Sequence, residues 1–338
     1  MNHEVKEGRL LDENGEVIEA GFAYSLVKEY NRDHIKAKKS RIKEWDYYYI
    51  GNDEYGIALT IDDNSYMGLA SVSFLNFKEK WECTRSVIKW FTNGSVKLPS
   101  SSKIGDVSLK GKDFSLEFFN DGKKRHLVCE MKNVKKGKDF SCDVTLLETN
   151  ESSMVIVTPF DKPKHFYYNQ KINCLKAQGH ATFDNKTYSL DNCYGVLDWG
   201  RGVWTYKNTW YWSSLSSVSN GVRIGWNLGY GFGNTKAASE NMFFYNDKAY
   251  KLDDVSFNIP TKDGKDDFMS PWTFTSKDGK INMTFRPIID RYSGTDVIII
   301  KSIQHQVFGL FSGYIYAGEE KIEFENLLGF AEKVKNYW

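Results

Sequence analysis

The chain has 338 residues, 41% of them hydrophobic and 15% aromatic, enough for two packed domains and far from a disordered composition. Lys+Arg 45 against Asp+Glu 44 leaves a formal charge of +1, which gives no global electrostatic drive toward nucleic acid. The 6 histidines form no H-x-H or H-x-x-x-H pair and the 5 cysteines no C-x-x-C, so spacing supports neither a metal site nor a redox motif.

The N-terminus, Met1-Asn2-His3-Glu4-Val5-Lys6-Glu7, is polar and lacks a signal-peptide pattern. No segment approaches the ~20 apolar residues of a membrane span. A reduced, cytoplasmic setting is therefore expected, with Cys83, Cys129, Cys142, Cys174 and Cys193 as small buried groups. The basic runs Lys36 to Arg41 and Lys132 to Lys138 read as solvated loop or edge charge.

Period-2 alternation dominates and predicts strands in chain order. The first set is Trp45 to Ile50, Tyr55 to Ile61, Tyr66 to Phe77, Trp81 to Phe91, Phe114 to Phe119, His126 to Met131, Phe140 to Leu147 and Met154 to Val157. Turn signals such as Gly51-Asn52-Asp53, Asn93-Gly94 and Asn120-Asp121-Gly122 separate them. Pro159-Phe160-Asp161-Lys162-Pro163 holds two of the 6 prolines and is expected to be a domain joint, giving domains 1–160 and 161–338. Strands then resume at Phe166 to Ala177, Lys186 to Leu190, Thr209 to Ser219, Val222 to Leu228, Asn241 to Tyr245 and Val255 to Ile259. The last are Ile281 to Ile289, Val297 to Gln306, Gly309 to Ala317 and Ile322 to Asn326, with at most a short helical turn at Gly329 to Val334.

Five of the 10 tryptophans (Trp199, Trp204, Trp210, Trp212, Trp226) crowd around Asp198-Trp199-Gly200-Arg201-Gly202. Trp pairs a large apolar body with one polar N–H, so the segment has the composition of a pocket wall as much as of a core. Strand alternation puts Trp210 and Trp212 on one face and Tyr211 and Leu215 on the other. In the next strand Arg223, Gly225 and Asn227 oppose Val222, Ile224, Trp226 and Leu228. The polar face is either wet or the lining of a barrel lumen.

Gly229-Tyr230-Gly231-Phe232-Gly233 follows a strand but opens no helix, so it lacks the N-terminus that would hold a pyrophosphate. Alternating glycines and rings mark a bend or close backbone approach instead. There is no G-x-S-x-G elbow. The ionisable candidates are Asp198 with Arg201, and Glu240 followed by Asn241; Arg286, Asp290 and Arg291 form another charged cluster. A carboxyl group against rings is desolvated toward its neutral form and suited to general-acid work. Alternatively, Asp198 and Arg201 form a structural ion pair.

Lys43-Glu44-Trp45-Asp46-Tyr47-Tyr48, Gly56-Ile57-Ala58-Leu59-Thr60 and Asp62 resemble the first half of a bacterial family, domain of unknown function 2804. Leu197 to Gly202, Asn227 to Gly231, Glu240-Asn241, Gly309 to Gly313 and Gly329 to Glu332 resemble its second half. The resemblance covers nearly the whole chain. It implies a distant similarity to two-domain lipocalin-like proteins, among them carotenoid hydratases, tocopherol cyclases and fungal Diels–Alderases. Those relatives hold an apolar substrate at or near the domain junction, and some use an acidic group to protonate a double bond.

The expected fold is all-β: two lipocalin-like antiparallel barrels or half-barrels with very little helix. The expected ligand is an apolar small molecule, with no cofactor, metal, nucleic acid or membrane span. One reading is cofactor-free acid catalysis (isomerisation, hydration or cyclisation), with Asp198 as donor or orienter, Arg201 as its electrostatic partner and Glu240 as a further candidate. Trp199, Trp204, Trp210, Trp212, Arg223, Asn227 and Asn241 are then the expected ligand contacts. The rival readings are hydrophobe binding without chemistry, and a structural or partner-binding β protein.

Overall fold

The computed structural model describes residues 2–148, 152–297 and 300–337. Two large antiparallel sheets, of 13 and 9 strands among these residues, curl into half-barrels. No α-helix occurs among them, only two 3-10 turns, and no helix is long and apolar enough to cross a membrane.

The first sheet runs from Trp81–Trp90 through Met67–Asn76, Tyr55–Asp63 and Ile42–Gly51 to Tyr194–Val203 and Phe166–Phe183. It continues through Lys138–Leu147, Lys124–Lys135 and Phe114–Asn120 to Val107–Gly111. The second sheet begins with Lys207–Ser219, which pairs on one side with Val222–Tyr230 and on the other with Glu320–Tyr337. Ile300–Ala317 and Ile281–Val297 follow. The expected strand at Val297 to Gln306 partly falls outside the described residues.

The chain leaves the first sheet at Val203 and enters the second at Lys207. Pro159 to Pro163 is therefore not the joint that its prolines suggested. It closes a hairpin between Met154–Pro159 and Phe166–Phe183, two neighbours in the first sheet. Proline at a strand end removes no ladder bond there, so the signal was a strand boundary and not a change of sheet. The Gly329 to Val334 segment is strand as well, paired on both sides, as Gly329 to Gly309 and Phe330 to Ser214. Two partner strands override the helix preference of Ala331, Glu332 and Lys333.

Each half-barrel is filled by its own side chains. Leu59, Val72, Phe74, Leu116, Leu127, Val144 and Trp199 pack inside the first. Trp226, Phe243, Trp272, Phe274, Phe285 and Phe311 fill the second. Fully burying each such ring contributes about 1.5–3 kcal/mol. Two further apolar clusters lie between the sheets: one joins Tyr47, Tyr49, Trp212, Phe308 and Phe330, the other Tyr167, Trp204 and Phe232. The long strand Phe166–Phe183 ties the halves together. It bulges between Ile172 and Leu175, with Cys174 in the left-handed region at φ 60°. From the bulge, the Asn173 amide donates to the carbonyls of Leu215 (3.1 Å) and Trp226 (3.0 Å) in the other sheet.

Candidate active site

A cavity of about 660 Å³ opens between the two sheets, not within either barrel, whose interiors are packed. Its inner wall carries Trp45, Tyr47, Tyr167, Trp204, Trp210, Trp212 and Phe232. The lining also carries the charged side chains Lys171, Asp198, Glu240 and Glu332, together with Asp62, Glu82 and Arg291. The rest of the lining is polar, with exposed Thr84, Ser86 and Ser293 on its solvent side and Ser71, Ser302 and Asn336 further covered.

Strand geometry explains the split roles within Asp198-Trp199-Gly200-Arg201-Gly202. Successive side chains alternate between the faces of a sheet. Asp198 faces the cavity, where it accepts from Lys171 Nζ at 2.7 Å and from Asn169 Nδ2 at 2.6 Å. Trp199 and Arg201 face the other way. Trp199 lies in the first core, edge-on to Tyr168 at 5.5 Å, with the Arg201 guanidinium 4.2 Å over its ring. Arg201 pairs with Asp46 at 3.0 Å and donates to the carbonyls of Trp45 (2.7 Å) and Pro99 (2.8 Å). The expected Asp198–Arg201 pair therefore does not form, because an odd separation of three puts them on opposite faces. Trp199 is likewise removed from the ligand contacts.

The two glycines of the segment permit close approach. A Cβ at Gly200 would fall 1.9 Å from the Trp45 ring, and one at Gly202 would fall 2.4 Å from the Phe166 carbonyl oxygen. Gly229 does the same for Glu240, whose carboxyl carbon would lie 2.7 Å from a Cβ there. Gly231 and Gly233, at φ 90° and 73°, turn the chain so that Phe232 enters the cavity wall.

Trp210 and Trp212 stand on one face, as alternation put them, and Trp204, in the link between the sheets, joins them at the cavity. Trp204 meets Trp45 edge-on at 5.2 Å and Phe232 at 4.7 Å. Trp210 Nε1 donates to Glu332 at 2.9 Å, and Trp212 Nε1 donates to Asn227 at 2.7 Å. The face of Trp212 carries the Lys171 ammonium 3.9 Å from its centroid. Asn227 and Asn241 support the site without lining it. Asn227 Nδ2 donates to the Glu240 carbonyl at 2.7 Å and its carboxylate at 3.3 Å, while Asn241 bridges Gly229 and Asp253. Arg223 lies elsewhere: at the far end of its strand it donates to Asp247 from Nε at 2.7 Å. Of the Arg286, Asp290 and Arg291 cluster, only Arg291 reaches the cavity.

Burial pushes the Glu240 carboxyl above the usual carboxylate range, and the negative charge of Asp198 adds to the effect against the pull of Lys171. Burial also raises Glu332. The two differ in their partners. Glu332 accepts from Trp210, from Gln304 at 3.2 Å and from Gln306 at 3.1 Å. Among the described residues, Glu240 accepts only from Asn227. Glu332 is thus held as an acceptor, while Glu240 keeps acceptor capacity beside the tryptophans. Asp62, a further buried carboxyl of the lining that burial also raises, stands on the strand Tyr55–Asp63.

Residues 2–338 match the family described as Domain of unknown function (DUF2804). The chain belongs to that family. No curated protein matches this DUF2804 chain by sequence. Among solved structures its fold is similar to a protein described as AttH from Nitrosomonas europaea, with TM-score 0.55 and 12% identity over 90% of this chain and 96% of that one. It is equally similar to kievitone hydratase from Nectria haematococca, with TM-score 0.55 and 12% identity over 98% of each chain. These neighbours are two-domain lipocalin-like proteins, and the DUF2804 chain shares that fold.

Lys171, Glu332, Tyr47 and Tyr167 escaped the sequence reading. Lys171 had a usable signal: it is the only charge between Phe166 and Leu175, a run buried on both faces. A lone ion in such a strand marks a paired or functional group. Glu332 had none, since Lys333 beside it looks the same in sequence.

Proposed function

We propose that the inter-sheet cavity binds a small molecule with an apolar, unsaturated body and a polar end, and that Glu240 protonates it. The observation carrying this reading is a buried carboxyl group, raised toward its neutral form, in an aromatic wall with one hydrogen-bond partner. The proton passes from Glu240 to a carbon or oxygen of the substrate. The carboxylate left behind is steadied by Asn227 and by the charge of Lys171, and the cationic centre by the faces of neighbouring rings. Loss of a different proton to the Glu240 carboxylate completes an isomerisation; attack by water or by a substrate hydroxyl completes a hydration or cyclisation, its proton likewise returning to Glu240. Lys171, paired with Asp198, orients the site, and the hydroxyl-rich mouth receives the polar end of the ligand.

One neighbour of this fold is a hydratase, which is compatible with such chemistry; at 12% identity the likeness is of fold, and the reaction class rests on Glu240. Glu240→Gln keeps the size of the side chain and its bond to Asn227 but has no acidic proton. Fatty acids and isoprenoids should quench tryptophan fluorescence equally in both proteins, while product formation falls by about 10²–10⁴-fold in the variant. Equal turnover by the variant sinks the assignment. The bonds that tie Glu240 to Asn227 also fit a purely supporting role; binding by the wild type without any product would select that reading, a carrier without chemistry.

A further inference from the structure

The rim beside the cavity mouth carries features that the cavity does not use. Trp81–Trp90 is the terminal strand of the first sheet. By alternation Glu82, Thr84, Ser86, Ile88 and Trp90 share one face. The first three line the cavity, and Ile88 sits opposite Leu69, another cavity residue, in the register. Ile88 and Trp90 are 43% and 62% exposed, and Phe91 just beyond them is 75% exposed. Phe91 also holds φ 56°, a left-handed backbone that a bulky side chain adopts only under constraint. On the other sheet the lining residue Tyr292 is 57% exposed. Large apolar groups gathered at one opening differ from scattered surface exposure and mark an interaction site.

Charge identifies what covers it. Phe91 N donates to the Tyr66 carbonyl at 2.7 Å and Asn93 N to the Ser65 carbonyl at 2.8 Å, while Ser65 Oγ donates to the Lys39 carbonyl at 2.8 Å. These bonds set the basic run Lys36 to Arg41 beside the exposed rings. Lys36, Lys38 and Lys39 are exposed, as is Lys97 just after the aromatic turn, whereas Lys89 points to the other face and donates to the Lys110 carbonyl at 2.6 Å. Asp33 is an exposed acid of this corner. Glu44 and Asp63 are buried, the one paired with Arg32 and the other accepting from Thr92 and Gly94. Rings with flanking lysines match a lipid–water interface, where aromatic side chains sit at headgroup level and ammonium groups meet anionic lipid.

We propose that this corner seats the cavity mouth on an anionic lipid surface, so that an apolar ligand passes from bilayer to cavity without crossing water. The docking itself does not depend on Glu240 or on any chemistry, and it is tested without ligand. The full chain is sedimented with phosphatidylcholine vesicles, with or without phosphatidylglycerol, at low and high salt. Two surface variants accompany it: Trp90→Ser with Phe91→Asn, and Lys38→Glu with Lys39→Glu. Asparagine tolerates the left-handed backbone at position 91, so the first variant should fold and melt like the wild type. The wild type should pellet with the anionic vesicles and be released by salt. Each double variant should bind them about tenfold or more weakly. A wild type that stays in solution with anionic vesicles at low salt overturns the proposal, as do variants that pellet equally well. A wild-type dimer that Trp90→Ser with Phe91→Asn converts to monomer also overturns it, because a second copy then covers the patch.

Discussion

Lys171 and Asp198 meet at 2.7 Å across adjacent strands of the first sheet, both nearly closed off from solvent. The charge of Lys171 also acts on Glu240 and Glu332, so one ammonium serves three carboxyl groups. Replacing it by Met leaves Asp198 buried against them without its partner. Removing one member of such a pair costs about 3–5 kcal/mol. Lys171→Met should lose stability of that order in denaturant unfolding, and Lys171→Met with Asp198→Asn should recover part of it. Additive losses would show that the two residues act independently.

Gly200 should not tolerate a methyl group. The Trp45 ring lies over it and also meets Trp204 edge-on and stacks on Tyr167 at 6.1 Å. Gly200→Ala must displace that ring from the cavity wall, and overpacking of this kind costs about 1–3 kcal/mol. The expected result is a lower melting temperature together with a changed tryptophan emission spectrum. An unchanged spectrum and melt would mean that the ring moves aside freely.

Asp62 gives the protein a pH signature. Burial pushes its carboxyl from the ordinary 3.8 up to about 7. Between those values the folded chain holds a proton that the unfolded chain has released, so this group's contribution to stability falls as pH rises from 3.8 to about 7. The full effect is on the order of 4 kcal/mol at most. Asp62→Asn cannot ionise. Its melting temperature should gain on the wild type as pH rises through that window, and parallel curves would contradict the assignment. Lys43, pulled down to about 7 by its burial, acts in the opposite sense above that pH and does not mask the comparison below it.

Much of this was legible in the residues, and the limits have physical causes. Two-residue alternation placed Trp210 and Trp212 on one face and Tyr211 and Leu215 on the other, and the structure has them so. The same rule, applied to Asp198 and Arg201, would have separated them, but their nearness in sequence suggested a pair. Arg201 instead finds Asp46, 155 positions away, across a strand pairing that no local pattern encodes. The site is likewise built by residues from distant strands: Tyr47, Lys171 and Glu332 converge only when two sheets pack. Composition pointed to a barrel lumen, yet both interiors are filled. The space lies between the sheets, where their outer faces carry tryptophans in one region and serines in another.

The most direct test of a ligand-binding inter-sheet cavity is native mass spectrometry of the full chain purified from its own host. A filled cavity predicts an added mass from one small organic molecule, released on unfolding and reduced in a Trp212→Ala variant that stays folded. A wild-type spectrum showing the bare chain alone, under conditions that keep it folded, would contradict the account.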